Sequence, residues 1–91
     1  YRFIVSGRVQ GVFFRASASE VAEKLGLSGW VRNLNSGDVE LIVRGDAASI
    51  ARLEEWLWQG PKFSKVTDVK SEHLAEEILA NMSGFEIRQD G

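Results

Sequence analysis

Gly7-Arg8-Val9-Gln10-Gly11-Val12-Phe13-Phe14-Arg15 is the stretch of this chain whose residue types and spacing are suited to chemistry. It leaves an apolar strand, passes two glycines and delivers an arginine to the start of a helical pattern. A glycine-punctuated loop can turn successive backbone N–H groups into one concavity, which holds a phosphate without a metal. Arg15 adds a planar, permanently charged fork that matches an oxyanion. The plainer reading is a strand-to-helix turn whose glycines relieve backbone strain and whose arginine is a solvated charge. Spacing alone favours the plainer reading, because glycine-containing loops are common. The rest of the chain decides between them.

The elements that position this loop belong to one small domain, residues 1–91, long enough for a single core and too short for two. Hydrophobic residues make up 44% and charged residues 26%, the balance of a folded globule. A net charge of −2 speaks against a protein that lives on the phosphate backbone of nucleic acid. The lack of cysteine removes disulfides and thiolate metal sites, and one histidine cannot build a metal cluster. Apolar runs are only a few residues long, too short for a helical membrane span. A cysteine-free chain is compatible with the cytosol, so the expected location is cytoplasmic. A small acidic domain of this kind is most simply a monomer. An opening Tyr1 in place of methionine leaves room for residues ahead of it.

Along the chain, Tyr1, Phe3 and Val5 alternate with Arg2, Ile4 and Ser6, which predicts a half-buried strand. Phe14, Ala18, Val21, Ala22 and Leu25 share one helical face, and Gly26 suits the end of that helix. Residues 28–34 and 38–44 predict a hairpin turned by Asn35-Ser36-Gly37. Asp46 is placed to cap a second helix carrying Ile50, Leu53, Trp56 and Leu57, which Gly60-Pro61 stops. Residues 66–72 predict a fourth strand in which Asp68 breaks the alternation, and residues 84–89 a short closing strand. Residues 74–83 fit either a helical turn or an irregular loop. The order is βαββαβ with an additional C-terminal strand. That is an α+β, ferredoxin-like sandwich with two helices on one face of a mainly antiparallel sheet. In it the first two strands run parallel with the third between them, about 10 Å apart. The 7–13 loop and Asn33 then open onto one shared edge.

With both segments placed, the chain resembles the acylphosphatase family. The pattern G-x-V-Q-G-V-x-F-R is matched by Gly7, Val9, Gln10, Gly11, Val12, Phe14 and Arg15. The pattern G-W-V-x-N is matched by Gly29, Trp30, Val31 and Asn33, with Gly37 in the following turn and Gly60-Pro61 as a weaker agreement. The resemblance implies hydrolysis of the carboxyl–phosphate bond of a small acyl phosphate, giving a carboxylate and inorganic phosphate. It implies phosphate binding by Arg15 and by a loop comprising Gly7, Arg8, Val9, Gln10, Gly11, Val12 and Phe13. Asn33 would position water, with no metal or organic cofactor and no phosphoenzyme. The chemistry suits those parts. An acyl phosphate has a good leaving group, and a loose phosphoryl transition state needs mainly alignment and charge stabilisation. Small metabolic acyl phosphates and phosphorylated aspartate on proteins both fit an edge-on site.

Other residues carry weaker signals. Arg32 should point away from Asn33 by strand alternation, towards solvent, while Arg8 could add positive potential at the mouth. His73 reads as an exposed polar residue, and Trp30, Trp56 and Trp58 as core or boundary packing, Trp58 partly exposed. Glu54-Glu55 and Glu76-Glu77 read as solvent-facing charge rather than a carboxylate dyad. Two alternatives stand beside the enzyme. An RNA-recognition module shares the fold, but its stacking aromatics sit on strands, whereas Phe13-Phe14 lie between strand and helix. An acylphosphatase-like domain of a hydrogenase-maturation carbamoyltransferase usually has proline after the arginine, where this chain has Ala16.

Overall fold

The computed structural model describes residues 1–75 and 82–90. Period-two alternation makes β1 (Arg2–Arg8), which buries Phe3 and Val5 and leaves Arg2, Ile4 and Ser6 half-covered. Spacing of four residues places Phe14, Ala18 and Ala22 on the inner side of α1 (Phe14–Lys24). The hairpin of β2 (Ser28–Asn33) and β3 (Val39–Arg44) is closed by Leu34 N–H donating to Asp38 O at 2.8 Å and Gly37 N–H to Leu34 O at 3.1 Å. Asp46 caps α2 (Ala47–Gln59) by accepting the Ser49 N–H at 3.0 Å. That same bond lowers the Asp46 carboxyl below its ordinary pKa. The helix ends at Gly60, and β4 (Lys65–Glu72) and β5 (Phe85–Ile87) follow.

The strands form one sheet in the order β4-β1-β3-β2-β5. Every pairing is antiparallel except the parallel contact of β5 with β2. Both helices pack on one face, where Phe3, Val5, Val31, Leu41 and Val43 meet Phe14, Ala18, Ile50, Leu53 and Leu57 in a single core. Burying each large side chain of this set contributes about 1.5–3 kcal/mol. The expected ferredoxin-like α+β sandwich is the one found. Val39 of β3 lies opposite Val5 on one side and Asn33 on the other. The ends of β1 and β2 therefore share one edge of the sheet, two strand spacings apart.

Two local features differ from the expectation. β1 continues through Arg8, so Gly7 and Arg8 pair with Val66 and Lys65 of β4 instead of starting the loop. The register shifts between Ser6 and Gly7, leaving Thr67 as the extra residue of a β-bulge. Gly7 sits at φ 118°, where a Cβ would run into the Lys65 carbonyl oxygen. The bulge also explains Asp68: Val66 and Val69, three residues apart, both pack towards the core. Of the ambiguous 74–83 segment, residues 76–81, with Ile78, Leu79 and the Glu76-Glu77 pair, lie outside the described residues.

Candidate active site

A cleft of about 350 Å³ opens where the loop after β1 meets the end of β2. Its floor includes Val9, whose side chain is buried in the core and anchors the loop. Gly11 follows at φ 74°, a left-handed conformation that an L side chain adopts only under strain. Phe13 has φ 61°, unusual for a bulky residue, at a cost of about 1–3 kcal/mol. This backbone turn makes Phe13 the N-cap of α1 without any side-chain capping bond. The first helical bond runs from Ser17 N–H to Phe13 O at 3.0 Å, so the N–H groups of Phe14, Arg15 and Ala16 precede the ladder. All three residues line the cleft. A helix N-terminus with its positive dipole end therefore points into the same space as the loop.

Arg15 stands on the first turn of α1 with its side chain 37% exposed. Its Nη1 donates to Asp90 Oδ1 at 3.1 Å, so a carboxylate already meets the guanidinium. Asn33 closes the other side. It is 9% exposed, and its Oδ1 is a buried acceptor without a hydrogen-bond partner among the described residues. Such an atom costs about 1–3 kcal/mol of desolvation. Strand alternation puts Val31 and Asn33 on the helix-bearing face and Arg32 on the other, where its Nε donates to Glu40 Oε1 at 2.7 Å. Ile87 completes the wall beside Asn33, because parallel pairing sets it next to Val31. Phe13 and Ile87 remain 81% and 48% exposed, giving the mouth an apolar rim.

The structure brings Val9, Gly11, Phe13, Arg15 and Asn33 into one cleft. Gly7 and Arg8 lie back along β1, and Val12 packs against the core. Gln10 turns its side chain to the hairpin, with Nε2 donating to Leu34 O at 2.8 Å and Asp38 O at 2.9 Å. Sequence reasoning missed the Asp90 carboxylate on Arg15 and the Ile87 wall of the cleft, and it assigned Gln10 to the phosphate rather than to the hairpin. Only the alternation of Phe85 and Ile87 hinted at the wall, and it did not say which edge the closing strand joins. His73 is exposed against the Tyr1 ring at 4.9 Å, and Trp58 is also exposed. Among the described residues no group of three or more His, Cys, Asp and Glu side chains could hold a metal ion. No helix among them is long and apolar enough to cross a membrane.

Comparison with known proteins agrees with the geometry. The acylphosphatase family model matches residues 1–87. An acylphosphatase of Nitrosococcus oceani is 46% identical over 87 residues, 96% of this chain and 94% of that protein. A solved acylphosphatase from Coxiella burnetii superposes with a TM-score of 0.85 at 48% identity, covering 96% of this chain and 88% of that one. Another from Bacillus subtilis gives a TM-score of 0.84 at 38% identity, covering 96% and 94%. With fold, order of elements and sequence agreeing over nearly its whole length, this chain belongs to the acylphosphatase family.

Proposed function

We propose that this chain hydrolyses small acyl phosphates by direct in-line attack of water on phosphorus. The observation that carries the reading is the buried Asn33 Oδ1, without a partner among the described residues, in the same cleft as Arg15 and the α1 N-terminus. The phosphoryl group is held by Arg15 and by N–H groups of the loop and first helical turn, which answer charge on its equatorial oxygens. Asn33 Oδ1 accepts a hydrogen bond from the attacking water and holds it in line while the amide stays neutral. Water oxygen bonds to phosphorus, the phosphorus–acyl oxygen bond breaks, and its electron pair leaves with the carboxylate. The water proton passes to a phosphoryl oxygen, so no general base is required. Products are the carboxylate and inorganic phosphate.

Arg15 is a cation and Asn33 a neutral amide, a pair suited to alignment and charge stabilisation without a metal. The reading also takes in no cofactor, a monomeric enzyme and a cytoplasmic setting. Relatives that carry the acylphosphatase name are matched over most of their own length, which supports this reading over a domain of a maturation protein. The test is turnover of a generic aryl acyl phosphate against an alkyl phosphate monoester, with and without a strong chelator. Hydrolysis of the first alone, at a rate the chelator leaves unchanged, is expected. Loss of activity on chelation would point to a metal, and efficient monoester hydrolysis to an overlooked general acid.

A further inference from the structure

The two halves of the cleft stand on separate parts of the chain: Arg15 follows the loop after β1, and Asn33 ends β2. β3 lies between those strands, so no backbone ladder joins β1 to β2 directly. The side chain of Gln10 spans the gap. Its Nε2 donates one hydrogen to Leu34 O at 2.8 Å and the other to Asp38 O at 2.9 Å, which uses both donors of the amide. Those two carbonyls also close the β2–β3 turn, and Leu34 is the residue next to Asn33. We propose that Gln10 is a positioning residue that sets the distance between the phosphate-holding loop and the water-holding Asn33. The inference rests on the roles assigned above to Arg15 and Asn33.

The arrangement predicts an uneven effect. Arg15 and the loop N–H groups lie on the same side of the Gln10 clamp, so the phosphate cradle moves as a unit when the clamp is cut. Asn33 stays with the hairpin. Misalignment therefore falls on the water, and an error near 1 Å in such a geometry costs on the order of 10²-fold in rate. A residue that touched phosphate itself would lose affinity and turnover together.

The experiment compares Gln10→Ala and Gln10→Glu with the parent, using benzoyl phosphate turnover, competitive inhibition by inorganic phosphate and thermal melting. Gln10→Ala should lower kcat by roughly 10- to 100-fold while the phosphate inhibition constant changes by less than about threefold. Gln10→Glu should be at least as slow at neutral pH, where its carboxylate faces two carbonyl oxygens. As pH falls towards about 5 the acid gains a proton and one O–H donor, and its rate relative to the parent should recover. An unchanged kcat in Gln10→Ala would overturn the proposal, as would parallel loss of phosphate affinity or a pH-independent ratio for Gln10→Glu. Should Gln10→Ala fail to fold, the pH dependence of Gln10→Glu decides alone. A parent that does not hydrolyse benzoyl phosphate defeats the functional reading itself, a result distinct from each of these.

Discussion

The helix-free face of the sheet and the cleft at its edge both carry polar groups, yet those groups are satisfied in opposite ways. On the open face Glu40, with its side chain 5% exposed, accepts Arg2 Nε at 2.6 Å and Arg32 Nε at 2.7 Å. Arg32 and Arg88 also stack over the Trp30 ring at 5.1 and 4.9 Å. Burial raises the Glu40 pKa, but the hydrogen bonds from Arg2 and Arg32 outweigh it and leave the carboxyl below its ordinary value. At the cleft, a buried amide oxygen has no partner among the described residues, and strained backbone at Phe13 aims a helix N-terminus at the same space. The charges of the open face answer one another and stabilise the fold. In the cleft, Arg15 meets the exposed carboxylate of Asp90 and its side chain stays 37% exposed.

The largest expected effect breaks the cleft side of this contrast. Arg15→Ala should lower kcat/KM by on the order of 10³-fold or more and abolish inhibition by phosphate. Arg15→Lys should fall between the two, since it keeps charge and loses the planar fork. Melting temperature should move little, because the partner of Arg15 is the exposed Asp90. Steady-state kinetics with calorimetry on both variants checks this.

On the open face the pattern should invert. Glu40→Gln should leave kcat and phosphate inhibition unchanged but lower stability by about 1–3 kcal/mol, since the neutral amide offers one acceptor oxygen where the carboxylate answers two guanidinium groups. The pH dependence has a definite sign. A carboxyl with a lowered folded pKa stabilises fully above its unfolded pKa and loses that contribution as pH falls through the folded value. The stability gap between parent and Glu40→Gln should therefore narrow on acidification, which denaturant titration at stepped pH measures. A smaller effect sharpens the boundary between the regions. Asp90→Asn removes the carboxylate that meets Arg15 and would compete with phosphate for it, so phosphate should inhibit the variant a few-fold more strongly.

Sequence patterning made most of this molecule legible where a single physical rule governed it. Alternation set Phe3 and Val5 on one face of β1, where they are buried, and Asp46 and Gly60 bounded α2 by their cap chemistry. Two glycines ahead of a helix marked the loop, and alternation separated Asn33 from Arg32. What escaped depends on long-range pairing. The Thr67 bulge disguised the phase of β4, and only its partner strand reveals that Gly7 is needed for close approach rather than for the loop. The reach of Gln10 to Leu34 and Asp38 crosses 24 and 28 residues. The positive φ of Phe13 contradicts its own propensity, and local rules fail most often at such strained functional sites.

The division of labour between Arg15 and Asn33 is tested most directly by Asn33→Ala, with turnover and competitive inhibition by phosphate measured on the same preparation. The account predicts a fall in kcat on the order of 10²- to 10³-fold, about 3 to 4 kcal/mol of barrier. Phosphate affinity should be nearly unchanged, and stability should not decrease, because the substitution removes a buried acceptor that has no partner among the described residues. Loss of phosphate affinity as severe as in Arg15→Ala would mean that Asn33 holds the anion, and the water-positioning role would be wrong.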